Sequence, residues 1–285
     1  MKRYFENLCV RAGRRLQALG QQRALRSFPG SIRVAGMQIT GLRPLGGFQQ
    51  PGVTKAGRLS FAGYCEGRKV KVYSAYGPAQ IALRQAVQGL DLDGCGFTEL
   101  LAVDDELVVE AWVEGCSVTQ LPGDQQLAAA ERVRQLLHEL HHGKASLALA
   151  TAHDQAFCYL QDYLLVRLGV WRHWSLVADF LQQWQARYAE LGERLPVRLS
   201  HPDLSAANLV LEQGSGRLLI IDNELLGVGR GWILDGRNSL LHADLCNEGG
   251  QPVPDDFVQM TWRLRQLGSA LDANDFSRAQ ALCQA

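Results

Sequence analysis

Across residues 34–113 apolar and polar positions alternate with a period of two, in short runs broken by glycine: IRVAGMQITGL, RLSFAGYCEGRKVKVYS, FTELLAV and ELVVEAWVEG. That period places one face of each run in a core and the other in solvent, so it predicts an antiparallel β-rich region. One helix is expected inside it, at 78–90 (PAQIALRQAVQGL), opened by a proline suited to a first helical turn. From residue 125 the period lengthens to that of amphipathic helices, expected at 125–142, 157–170, 175–191 and from 255 onward. Strand character returns within 197–224, where the apolar runs 209–211 and 218–221 flank Gly214-Ser215-Gly216, the signature of a hairpin. The pattern is α+β, with a β-rich part at 34–113, a helical part at 114–285 and a separate segment at 1–33.

Composition adds limits. At 285 residues and 47% hydrophobic content the chain can fill two lobes with a cleft between them. No run approaches the ~20 consecutive apolar residues of a membrane span. The seven cysteines (Cys9, Cys65, Cys95, Cys116, Cys158, Cys246, Cys283) are scattered and never form a C-x-x-C pair, which fits a reducing, cytoplasmic setting and buried thiols. The neutral total hides an asymmetry: residues 1–33 hold eight basic residues against the single acid Glu6, so they carry +7 and the remainder −7. Phe5, Leu8, Ala12, Leu16 and Leu19 recur at helical spacing, giving a basic amphipathic helix. Two roles suit it: residues 1–26 docking peripherally on an anionic membrane surface, or the helix packing on its own acidic body. A transit peptide fits less well, because serine enrichment is missing. Nucleic acid is not an expected partner.

Chemistry concentrates in residues 197–224, VRLSHPDLSAANLVLEQGSGRLLIIDNE. Asp203 precedes the first apolar run and Asn208 sits at its mouth, while the hairpin returns Asp222 beside Asn208. Mg²⁺ is a hard cation held by one or two carboxylate or amide oxygens plus a substrate's phosphates, and Asn208 and Asp222 offer such oxygens. Asp203 is left to accept the proton of an attacking hydroxyl, with His201 supporting the loop. H-x-D-x-x-x-x-N followed by a further Asp is the order that phosphoryl transfer uses. A plain hairpin with polar turn residues is the bland alternative.

On these residues the chain resembles the protein-kinase-like phosphotransferases, and most of all their aminoglycoside, choline and sugar kinase branch. Pro202 stands where protein kinases usually carry Arg, and the IIDNE form stands where they carry Asp-Phe-Gly. The resemblance implies a bilobal fold, a β-rich nucleotide-binding N-lobe and a helical C-lobe. It also implies ATP and Mg²⁺ as cofactors, with transfer of the γ-phosphate to a hydroxyl of a small molecule or saccharide, lipid-linked acceptors included. The Asp-x-Glu pair adds Glu224 to the metal residues Asn208 and Asp222. Gly46 and Gly47 would lie in the loop over the phosphates. Lys71 in RKVKVYS would be the strand lysine that clamps them, with Lys69 on the same face as the alternative. Glu110, Ala111, Trp112 and Val113 would form the backbone segment facing the adenine edge. Asp235 either fixes the catalytic loop from below or caps a helix. No long activation segment and no Ala-Pro-Glu follows Asp222, so a peptide acceptor is disfavoured.

One departure stands out: the helix at 78–90 contains no Glu to pair with the strand lysine. Gln80 and Gln85 are the side chains able to stand in, and a carboxylate from elsewhere, such as Glu99, is another source. The same gap suits a catalytically weak nucleotide-binding or protein-docking module. His138-Glu139-Leu140-His141-His142 matches the zinc-protease H-E-x-x-H pattern, but no third ligand follows at the required spacing. Trp171, Arg172, His173, Trp174, Arg230 and Trp232 are expected to wall an acceptor pocket, since aromatic faces stack on sugars and arginines grip anions. Acidic residues suited to a cationic acceptor are few there: Asp162 and Asp179, with Glu248 further on.

Overall fold

The computed structural model describes residues 30–45, 60–142, 158–195, 197–201, 204–230 and 253–285, with Ala12 and Leu19 besides. Most of the expected basic helix therefore lies outside the described residues. Strands β1 (Ser31–Val34), β2 (Met37–Pro44), β3 (Ser60–Cys65) and β4 (Arg68–Ser74) lead into helix α1 (Pro78–Ala86). After it come β5 (Asp91–Leu92), β6 (Cys95–Phe97), β7 (Leu100–Val103), β8 (Leu107–Ala111) and β9 (Gly115–Ser117). Six of these strands form one antiparallel sheet in the order β1-β2-β3-β4-β8-β7. Two-residue turns at Ala35-Gly36 and Glu66-Gly67 join the first two hairpins, all four residues at positive φ, as the right-handed twist of the strands favours.

The period of two sorts β4 into two faces. Val70 and Val72 are buried with Val34, Ile39 and Val109 on one side. Tyr73 on the other side packs with Ile81 of α1 and Val108. Lys69 and Lys71 share that second face by alternation.

Helix α2 (Gly123–His142) covers a second sheet completed by β11 (Leu209–Glu212) and β12 (Leu218–Ile220). Its order is β5-β6-β12-β11-β9. The expected hairpin forms with Leu209 opposite Ile220, and Gly214 and Gly216 take the positive φ its turn requires. The sheet also recruits β6, parallel to β12, and β9, antiparallel to β11. It thus ties the chain on both sides of residue 113 into one core, with Leu83, Val133, Leu137, Leu209, Leu218 and Ile220 inside.

The remaining helices build a third core. A π-helical segment Tyr159–Leu165 runs into α3 (Val166–Gly169), followed by α4 (Ser175–Leu191). A two-stranded ladder of β10 (Val197–Ser200) and β13 (Gly227–Arg230) comes next, and α5 (Asp255–Asp272) and α6 (Phe276–Gln284) close the chain. Helix α4 buries Val177, Phe180, Leu181 and Trp184, spaced to form one stripe, and Trp184 donates to Thr261 Oγ1 of α5 at 3.0 Å. Each such burial contributes about 1.5–3 kcal/mol. No helix among the described residues is long and apolar enough to cross a membrane.

Candidate active site

Lys71 and the end of the hairpin meet at the junction of the two sheets. The Lys71 ammonium lies 2.5 Å from Asp222 Oδ1 and 2.9 Å from Glu224 Oε1. Burial alone would push its pKa down, but Glu224, Asp222 and Glu110 outweigh burial and hold it well above the ordinary 10.5, so it stays protonated. Asp222 adopts the left-handed conformation (φ 63°, ψ 44°), which costs a non-glycine residue about 1 kcal/mol and which Asp tolerates better than most. The 3₁₀ turn Asn223–Leu225 follows at once, so two carboxylates spaced two residues apart both reach one lysine.

These groups line a cavity of about 270 Å³ with Leu45, Thr98, Glu110, Ala111, Trp112, Val113, Asn208 and Ile221. That is close to the ~300 Å³ lower end of small-molecule sites. Lys71, Asn208, Asp222, Glu224 and the segment 110–113 are therefore brought together, while Asp203, Gly46 and Gly47 lie outside the described residues. The Asn208 backbone is fixed on both sides: its N–H donates to Ser205 O at 2.9 Å and its carbonyl accepts from Ile221 N–H at 2.9 Å. His201, two residues before Asp203, is 2% exposed, and its Nε2 meets Ile221 O at 3.1 Å. Burial lowers its pKa below 6.5, so the ring is neutral and ties the end of β10 to the residue that follows β12.

Behind the cavity lies a polar network that sequence reasoning missed. Arg84 of α1, fully buried, donates through Nε to Glu110 Oε1 at 2.8 Å and through Nη2 to Thr98 O at 3.1 Å. Glu110 also accepts from Tyr73 Oη at 2.8 Å and Thr98 Oγ1 at 3.2 Å. Thr98 Oγ1 in turn accepts from Asn223 Nδ2 at 2.7 Å, next to Asp222. Burial and Glu110 push the Tyr73 phenol well up, so it remains a donor. The Glu110 side chain is thus engaged with Arg84, Tyr73 and Thr98.

Several expectations are corrected. Gln80 does not reach Lys71: its amide donates to Glu224 O and Leu226 O, both at 3.0 Å, and its Oε1 accepts from Tyr76 N–H at 2.8 Å. Gln85 is exposed, and Glu99 pairs with Arg68 at 3.2 Å on the surface. The carboxylates beside Lys71 are those of Asp222 and Glu224. Lys69, the alternative lysine, lies 3.6 Å from the Trp112 ring centroid and 4.0 Å from Glu114. Trp171 and Trp174 are not pocket walls, since both are buried against Phe276 in the helical core; Arg172 and His173 are exposed. Trp232, Asp235 and Glu248 lie outside the described residues. His138 and Glu139 are exposed, and no group of three or more His, Cys, Asp or Glu side chains is placed to hold a metal among the described residues. Mg²⁺ between Asn208 and Asp222 would not depend on such a group, because it needs few protein ligands.

No protein-family model matches the chain, and no curated protein matches it in sequence. Solved structures do. A thermostable mutant of aminoglycoside phosphotransferase APH(4)-Ia, in a ternary complex with ADP and hygromycin B, aligns over 86% of this chain and 92% of its own at TM-score 0.50 and 14% identity. Spectinomycin phosphotransferase APH(9)-Ia, in complex with ADP and spectinomycin, aligns over 87% and 86% at TM-score 0.44 and 11% identity. With its antiparallel sheet, helical part and the site between them, the chain has the bilobal α+β protein-kinase-like fold that it shares with APH(4)-Ia.

Proposed function

We propose that this chain is a Mg²⁺-dependent phosphotransferase that moves the γ-phosphoryl group of ATP to a hydroxyl of a small molecule or saccharide. The observation that carries this reading is the convergence of Lys71, Asn208, Asp222 and the 110–113 segment on one cavity. Asn208 and Asp222 offer the oxygen donors that Mg²⁺ takes, and Lys71 offers the fixed positive charge that phosphates take. When bound, ATP supplies the transferable group and Mg²⁺ neutralises its charge. Asp203 accepts the proton of the acceptor hydroxyl, and neutral His201 holds Asp203's loop against Ile221. Gly46 and Gly47 cover the phosphates. The bound ADP in the APH(4)-Ia complex supports a nucleotide in this cleft, and its bound hygromycin B supports a small acceptor.

Calorimetry with ATP, with and without Mg²⁺, tests the reading. Binding that depends on Mg²⁺ and is abolished by Asp222→Ala is expected, with Asp203→Ala keeping nucleotide affinity but releasing no ADP across a panel of acceptors. No metal-dependent nucleotide binding by the native chain would sink it. Because Glu224 gives Lys71 its carboxylate, the absence of a helix Glu no longer favours the catalytically weak docking module. The +7 charge of residues 1–33 supports peripheral membrane docking through residues 1–26, and hence a lipid-linked acceptor. Each basic residue near an anionic surface contributes about 1 kcal/mol, so vesicle binding that survives deletion of residues 1–30 would exclude it.

A further inference from the structure

Within the phosphotransferase reading, we propose that Glu224 is the fixed counterion of Lys71, not a ligand of the metal, and that Gln80 of α1 clamps the turn that carries it. The two acidic residues of the Asp-x-Glu pair sit in different surroundings. The Asp222 side chain is 34% exposed and opens to the cavity, whereas that of Glu224 is 5% exposed. Glu224 Oε1 accepts from Ser60 Oγ of β3 at 2.9 Å and from Lys71 Nζ of β4 at 2.9 Å. Mg²⁺ parts reluctantly with its water and keeps several, so its ligands belong in the solvated part of a site. Both residues border the cavity, but only Asp222 is open to solvent, whereas the Glu224 carboxylate is buried and its Oε1 is taken by Ser60 and Lys71. When Asp222 turns to a metal, Lys71 keeps one anionic partner that holds it at the cavity wall.

Gln80 explains why the carboxylate is on the turn and not on the helix. A primary amide has two N–H donors, and Gln80 places them on Glu224 O and Leu226 O while its oxygen takes Tyr76 N–H. A carboxylate at this fully buried position would face two carbonyl oxygens with nothing to donate. The amide on α1 and the carboxylate at position 224 are therefore one arrangement: the helix grips the turn's backbone, and the turn returns the charge. Glu224 is then a positioning residue acting through Lys71.

The test uses the full chain with ADP and Mn²⁺ as a paramagnetic stand-in for Mg²⁺, so metal affinity is read by spin resonance without any acceptor. Glu224→Gln should leave Mn²⁺ affinity in the presence of ADP within about twofold of the native chain, while Asp222→Asn should lower it more than about tenfold. Release of ADP from ATP should fall about tenfold or more in Glu224→Gln with KM for ATP changed less than about threefold. In a Lys71→Met background the same substitution should have almost no further effect on turnover. Ser60→Ala gives an independent arm should Glu224→Gln not fold: turnover should drop with Mn²⁺ affinity preserved. A tenfold loss of Mn²⁺ affinity in Glu224→Gln, or an undiminished effect in the Lys71→Met background, would overturn the counterion assignment alone. A native chain that binds no ADP with or without metal would overturn the phosphotransferase reading itself.

Discussion

The Arg84–Glu110 pair is the most demanding electrostatic feature of the fold, and removing one member of it should be costly in a calculable way. The two side chains are 0% and 2% exposed. Glu110→Ala would leave the guanidinium in the core without its carboxylate, with neutral acceptors such as Thr98 O at 3.1 Å in its place, and stranding one member of a buried pair costs about 3–5 kcal/mol. The Tyr73 hydroxyl loses its acceptor in the same step, for about 1 kcal/mol more. Against the ~5–15 kcal/mol that holds a domain together, this is a large fraction. At ~2–4 °C per kcal/mol for chains of this size, it should lower Tm by about 10–20 °C. Replacing both partners with apolar residues, Arg84→Met with Glu110→Leu, removes the stranded charge and should recover much of the loss, leaving a deficit of about 1–3 kcal/mol from Tyr73 and Thr98. Urea unfolding of both single variants and the double variant measures the cycle. Costs that simply add would refute the view that the pair stabilises chiefly by mutual compensation.

Gln80→Glu should destabilise the chain by about 3 kcal/mol and weaken nucleotide binding, because it takes two donors from the metal turn and adds a buried charge; increased activity would contradict the role assigned to the amide. Lys71→Ala should weaken ATP binding about tenfold more than Lys69→Ala, which removes only the contacts with Trp112 and Glu114, and equal losses in calorimetry would mean that the wrong lysine faces the phosphates. Acid should act through His201: burial holds its folded pKa below 6.5, so as pH falls past 6.5 the unfolded chain takes up the proton first. The stability it contributes is whole above that pH and is lost on the way down to the folded pKa. In urea titrations His201→Gln should flatten the slope of stability between about pH 7 and 5, and an unchanged slope would exclude His201 as its source.

Periodicity carried the reading of the sequence where a segment is long enough to show it. The strands around Lys71 and the long helices α2, α4 and α5 have enough residues to display one, while the hairpin shows itself through the turn Gly214-Ser215-Gly216 between two apolar runs. Strands β5 and β6, with two and three residues, do not, and only the pairing of β5 with β6 and of β6 with β12 makes them strands. Asn208 and Asp222 could be found because both flank one hairpin. Glu224 as the partner of Lys71 could not, because nothing local distinguishes a buried carboxylate from a solvated one. Arg84 gave no signal for a related reason: an arginine among glutamines on a helix has nothing local to mark it as buried, and its partner Glu110 lies on another element. Trp171 and Trp174 were expected at a ligand because tryptophan serves pockets and cores equally well. Their contact with Phe276, about a hundred residues later, decides for the core.

Several of the side-chain bonds that hold the turn at 222–226 come from far back in the chain. Ser60 reaches Glu224 across 164 residues, Lys71 reaches Asp222 across 151, Gln80 reaches Glu224 across 144, and Thr98 meets Asn223 across 125. Contacts of such separation form late, after the loop-closure entropy has been met. A nascent chain that has emerged only to residue 200 already contains every residue of the six-stranded sheet, yet its Lys71 faces neither of its two carboxylates. Translation of a further two dozen residues completes the lysine's charge balance and the second sheet together. On the proposed reading, a nascent chain that stops short of residue 222 lacks both carboxylates beside Lys71, and ATP binding during translation would report the arrival of residues 222–226.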